Sequence, residues 1–200
     1  SFTDSGQSLS GSNIRGLSLG DVDGDGDLDA FVSQDNHANK VWLNDGSGSF
    51  TDSGQSLGNS KSLGASLGDV DGDGDLDAFV TNYAPQGNRV WLNDGSGSFS
   101  DSGQSLGSSY SNGVSLGDID GDGDLDAFVA NYHDQANKVW LNNGSGSFSD
   151  SGQSLGSSYS YGIALGDVDG DGDLDAFVAT QGRFPADSAD SNYPQANKVW

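Results

Sequence analysis

Cysteine is absent from this 200-residue chain, which rules out a disulfide framework and a thiolate metal site. Glutamate is absent too, so all thirty acidic residues are Asp, and only seven Lys and Arg oppose them. The resulting net charge of −23 excludes nucleic acid and anionic membranes as partners. No apolar run approaches the length of a membrane span, so direct membrane insertion is not expected. Ser1-Phe2-Thr3 does not open a signal peptide, and export would need a targeting segment outside this sequence. Helix periodicity is missing as well: no apolar stretch keeps a 3.6-residue period beyond a turn. Leu, Ile, Val and Phe make only 41 of the 200 residues, close to the level at which a highly charged chain stays disordered. These apolar residues nevertheless recur at fixed places. The chain reads as foldable provided something cancels its charge.

What is present is repetition. The string "DVDGDGDLDAFV", or nearly that string, starts at 21, 69, 118 and 167, with spacings of 48, 49 and 49 residues. "GSFTDSGQSLG" or a variant precedes each copy, and "NKVW" or "NRVW" follows it. A period near fifty with short strands and Gly-rich turns predicts one propeller blade per repeat. In the first repeat the expected strands are A, 16–22; B, 28–32; C, 39–44; and D, 49–57. Strands B and C carry apolar residues on both alternating faces, the pattern of a sheet covered on both sides. The fold class is therefore all-β: a β-propeller of four-stranded antiparallel blades, closed as a four-bladed ring or part of a larger or intermolecular one. One domain, 1–200, divides into blades near 10–57, 58–106, 107–155 and 156–200. Residues 1–9 are available as the outer strand of the last blade or of a neighbouring chain, unless the 200 residues belong to a longer repeat protein.

The acidic string has Asp at positions 1, 3, 5, 7 and 9, Gly at 6 and Leu at 8. Calcium takes six to eight hard oxygen ligands, and a tight loop can converge alternate carboxylates and a backbone carbonyl on one point. Gly at 6 permits the sharp turn, and Leu at 8 is expected to anchor the loop to the core. Position 12 is Val in every copy, so the bidentate Glu of an EF-hand is missing, and a strand follows where an EF-hand has a helix.

On "DVDGDGDLDAFV" and "VWLNDGSGSF" the chain resembles the FG-GAP or VCBS-type repeats of the integrin α-subunit propeller and of bacterial surface proteins. The likeness covers essentially all 200 residues. The literal Phe-Gly and Gly-Ala-Pro signatures are not evident, so the VCBS-like subset fits better. The resemblance implies one calcium ion per repeat, four in total, held by the loop between strands A and B. The implied ligands are Asp21, Asp23, Asp25 and Asp29 with the Asp27 carbonyl. The equivalent sets are Asp69, Asp71, Asp73, Asp75 and Asp77; Asp118, Asp120, Asp122, Asp124 and Asp126; and Asp167, Asp169, Asp171, Asp173 and Asp175. It also implies a secreted or cell-surface protein of bacterial type.

In an A-B-C-D meander the calcium loop shares one end of the blade with the near-invariant turn "NDGSGS". At the other end the repeats diverge, and differences gathered on one face of a rigid scaffold mark where a partner is read. That face carries Tyr83, Tyr110, Tyr132, His133, Tyr159, Tyr161, Phe184 and Tyr193, which would stack on sugars, anchor a protein partner, or pack on one another across the loops. His37 and His133 read as isolated polar loop residues. Trp42, Trp91, Trp140 and Trp200 share one strand C slot, expected to pack between blades. No nucleophile elbow or zinc-binding His motif is present, and the clustered Asp residues suit metal rather than acid–base catalysis, so an enzyme is not expected. Two functions remain: a non-catalytic adhesion module for a glycan or surface protein, and a self-associating subunit of an extracellular assembly.

Overall fold

The computed structural model describes residues 1–181 and 197–200, and every regular element among them is a β-strand. Blade 1 is β1 (Ile14–Gly20), β2 (Asp29–Gln34), β3 (Lys40–Asn44) and β4 (Phe50–Asp52). Blade 2 is β5 (Ser62–Gly68), β6 (Asp77–Asn82), β7 (Arg89–Asn93) and β8 (Phe99–Asp101). Blade 3 is β9 (Ser111–Gly117), β10 (Asp126–Asn131), β11 (Gln135–Leu141) and β12 (Ser149–Asp150). Blade 4 begins with β13 (Leu155–Gly166), β14 (Asp175–Gln181) and β15 (Lys198–Val199). Each blade is an antiparallel meander with neighbouring strands paired in sequence order. The result is the expected β-propeller architecture, with β1, β5, β9 and β13 as successive inner strands.

The second strand of each of the first three blades is buried along its whole length, which requires a neighbour on both faces. The cores accordingly lie between blades. Val22, Phe31, Val41 and Leu57 of blade 1 meet Ala78, Val80, Trp91 and Phe99 of blade 2. Val70, Phe79, Val90 and Leu106 of blade 2 meet Ala127, Val129, Trp140 and Phe148 of blade 3 in the same way. Phe31 and Phe99 pack edge to face at 5.4 Å, and Phe79 and Phe148 at 5.3 Å. Each such pair adds about 0.5–1.5 kcal/mol beyond the area it buries. The Trp slot lies between blades as expected for Trp91, which joins the core with Val22, Phe31 and Val41 of blade 1, and for Trp140, which joins Val70, Phe79 and Val90 of blade 2.

Three expectations change. Strand D pairs continuously over three residues rather than nine: Asp52 Oδ1 accepts the Gly54 amide at 2.8 Å and interrupts the pairing, which resumes where Leu57 and Asn39 exchange backbone bonds of 3.1 and 3.2 Å. Gln55 then crosses to blade 2, its Oε1 accepting from Phe99 N (2.8 Å) while its Nε2 donates to Gly97 O (2.6 Å). Val22, expected to end strand A, instead lies in the acidic loop and is 1% exposed. This Val is a more deeply buried anchor than the Leu at position 8. Leu at position 8 also packs on the core, as expected, reaching across onto the preceding blade at Leu76 and Leu125, and is 56% exposed at Leu28. Residues 1–9 form no strand; Gln7 Oε1 accepts from Phe50 N at 2.8 Å, in the role that Gln55 has toward Phe99.

Candidate metal centres and an aromatic face

The acidic loops join the first and second strands of each blade and fold by self-capping. Asp21 accepts the Gly24 amide on Oδ1 (2.8 Å) and the Gly26 amide on Oδ2 (2.9 Å). Gly24 and Gly26 have φ of +75° and +94°, so the tight reversal needs residues without a Cβ. Asp23 Oδ1 accepts from Asp25 N (3.3 Å) and Asp25 Oδ1 from Asp27 N (2.9 Å). Asp29 is fully buried, accepting the amides of Val22 on Oδ2 (2.9 Å) and Asn44 on Oδ1 (2.8 Å). The same bonds recur around Asp69 and Asp77, Asp118 and Asp126, and Asp167. The loops of blades 1 and 2 are each tied to the next blade: Asn93 Nδ2 donates to Val22 O (2.8 Å), and Asn142 Nδ2 to Val70 O (2.7 Å).

In each repeat three carboxylates bring one oxygen apiece within 4.8 Å of one another. They are Asp21, Asp23 and Asp29; Asp69, Asp71 and Asp77; Asp118, Asp120 and Asp122; and Asp167, Asp169 and Asp175. Positions 1 and 3 converge in all four, joined by position 9 in three and by position 5 in the third. The side chains of Asp25, Asp73, Asp126 and Asp171 thus stand outside these triads. Position 7 contributes no carboxylate either: Asp27, Asp75 and Asp124 press against Gly46, Gly95 and Gly144 of the facing turn.

Electrostatics agree with a cation site. Burial pushes the Asp77 carboxyl up to about 6, and the charges of Asp71 and Asp73 add to the shift. Burial, with the neighbouring Asp29, Asp25 and Asp21 charges, raises Asp23; burial and Asp73 raise Asp71; burial and Asp120 raise Asp126. Such carboxylates repel one another until a positive charge enters. A cluster of all-oxygen donors fits a hard divalent cation.

At the opposite end of the blades six predicted aromatic residues come together. Tyr83 and Tyr110 lie 4.5 Å apart, Tyr110 and His133 4.7 Å, and Tyr132 and His133 4.4 Å. Tyr132 continues to Tyr159 at 4.6 Å and to Tyr161 at 5.2 Å. His133 is no isolated polar residue, since its Nε2 lies 2.9 Å from Tyr83 Oη and its ring is wedged among tyrosines. Phe184 and Tyr193 lie outside the described residues. Beside the cluster is a pocket of about 510 Å³. Arg15, Leu63, Asn112 and Tyr161 line it from one slot on the four inner strands, with Asp35, Lys61, Tyr83 and Tyr132 completing the wall. Arg15 pairs with Asp35 at 3.1 Å, and Lys61 Nζ sits 3.9 Å over the Tyr83 ring. Burial raises the Tyr161 hydroxyl to about 12. Sequence reasoning missed Arg15, Asp35, Lys61 and Asn112. The 48- and 49-residue spacing of positions 15, 63, 112 and 161 held the signal for two of them.

Meander blades whose first two strands are joined by acidic oxygen-donor loops define a repeat propeller with candidate cation sites. The FG-GAP-like repeat family matches residues 21–80, 69–129 and 118–178, each match running from one acidic loop to the second strand of the next blade. The chain belongs to that family. No curated protein sequence matches it.

Proposed function

We propose that this propeller is a calcium-stabilised, non-catalytic recognition module that works outside the cell and binds a glycan on its aromatic face. One observation carries the reading: the carboxylate triads occupy one end of the blades, and the Tyr–His cluster with its pocket occupies the other. The metal end explains rigidity and the aromatic end explains binding.

Calcium suits the loops better than magnesium, which prefers few carboxylates and retains several waters. Asp21, Asp23 and Asp29, with their equivalents, would hold the ion, which would neutralise the loop and fix its turn. Extracellular sites of this type bind at roughly 0.1–1 mM, a range filled outside cells and not in cytosol. That match supports an extracellular location, as does family membership. No helix among the described residues is long and apolar enough to cross a membrane.

For the aromatic face, Tyr rings supply flat apolar surface for the C–H face of a sugar ring. Asp35 accepts and Asn112 both donates and accepts, as hydroxyl recognition requires. A glycan array probed in millimolar calcium tests this reading, with Tyr132→Ala alongside. Binding lost in the variant is the expected result. An array blank at every sugar overturns the glycan assignment, and capture of a surface protein instead would replace it.

A further inference from the structure

The three interfaces between blades repeat one set of contacts. A Cβ on Gly68 would stand 3.0 Å from Leu116 Cδ1 and 2.8 Å from Leu125 Cδ1 of blade 3. Gly20 lies under Leu67 and Leu76 in the same way, and Gly117 under Leu165 and Leu174. A second glycine row admits the neighbouring backbone: a Cβ on Gly64 would meet Asn112 O at 2.6 Å, and one on Gly113 would meet Tyr161 O at 2.8 Å. Yet Gly162 and Gly166, the blade 4 members of the two rows, have nothing within 4 Å among the described residues. These glycines make room for a neighbour that the described residues do not supply.

Both halves of a fourth interface stand exposed. On blade 4, Val168 is 64% and Phe177 45% exposed, whereas Val22 and Val70 are 1% and Phe31 and Phe79 0%. On blade 1, Leu19 and Leu28 are 54% and 56% exposed, whereas Leu67 and Leu76 pack into the core between blades 1 and 2. The polar tie is divided likewise. Among the described residues Asn44 Nδ2 donates within its own blade, to Leu28 O at 3.1 Å, while its counterparts Asn93 and Asn142 reach the preceding loop.

We propose that the free face of blade 4 docks on the free face of blade 1 of a second copy of this chain. Leu19 and Leu28 of one copy seat over Gly166 of the other, and Asn44 reaches the Val168 carbonyl. The argument for the occupant is continuity: the two faces have the chemistry and register of three interfaces already formed within the chain. Two such contacts close a ring of eight blades, and the same contact without closure gives a filament; both place a second copy there.

The cysteine-free chain suits a crosslinking test. A Cβ on Gly20 lies 3.9 Å from Leu67 Cβ, and one on Gly68 lies 4.0 Å from Leu116 Cβ. Both distances suit a disulfide, so Gly166→Cys and Leu19→Cys should pair across the proposed contact. Mixed in calcium under mild oxidation, the two single variants should give a reducible species of twice the chain mass. Gly68→Cys with Leu116→Cys is the control within one chain, and Gly162→Leu should keep the fold while losing association. Two results overturn the proposal. One is a Leu19→Cys, Gly166→Cys double variant that crosslinks only within single chains, which assigns the contact to closure of one ring. The other is no crosslink between the mixed variants while the control pair forms.

Discussion

At the scale of single residues, side chains are removed or charges concentrated wherever the repeat needs space or an ion. Gly64 is the sharpest case of the first, since a Cβ there would meet Asn112 O at 2.6 Å and Thr81 Oγ1 at 2.9 Å. Gly64→Ala should therefore cost about 1–3 kcal/mol in chemical denaturation, the usual cost of overpacking. Gly162→Ala, with open space around it, should be neutral for the monomer. Asp77 is the sharpest case of the second. Its carboxyl titrates near 6 when folded without an ion, above the ordinary 3.8. The folded form then binds more protons than the unfolded chain between those values, so lowering pH from 7 toward 4 should stabilise the calcium-free protein. With calcium in excess the trend reverses, because protons compete with the ion for the same oxygens. Melting temperatures measured against pH in both states should slope in opposite directions. Parallel slopes would deny that calcium occupies these carboxylates.

At the scale of elements, the loop of one blade is held by the next blade. Val70 O accepts from Asn142 Nδ2 (2.7 Å) and from Gly146 N (2.8 Å), so the loop beginning at Asp69 rests on the third blade's turn. Asn142→Ala should cost about 1–2 kcal/mol for the lost buried hydrogen bonds and weaken calcium binding at Asp69, Asp71 and Asp77. Calorimetric titration should show one of four sites weakened; four equal sites would contradict the tie. The loop itself was legible in the sequence, because the Asp and Gly spacing states both ligand and turn. The short outer strand was not, since Asp52 interrupts it by capping a local amide, which competes with pairing. The Leu at position 8 packs on the core as expected at Leu76 and Leu125, but periodicity marks it apolar without saying that the neighbouring blade is what covers it. The aromatic face was legible as variation among repeats. Arg15, Asp35, Lys61 and Asn112 were not, because only the stacking of inner strands brings them to one pocket.

At the scale of the whole molecule, 30 Asp against seven Lys and Arg is a destabilising excess that four divalent ions would partly offset. At tenfold excess over Kd each site contributes about 1.4 kcal/mol, and four together rival the 5–15 kcal/mol of an ordinary domain. The repeat count and the all-β class follow from sequence periodicity, but the exposure of Phe177 and Leu19 depends on blades 1 and 4 not facing each other. The most direct test of the central claim is scanning calorimetry of the calcium-free protein across added calcium. The melting temperature should rise with the logarithm of calcium concentration, by roughly 10–20 °C at tenfold excess for a chain of this size. A melting temperature that stays put from calcium-free buffer to 10 mM calcium, on the order of ten times the weakest expected Kd, would contradict a calcium-stabilised propeller.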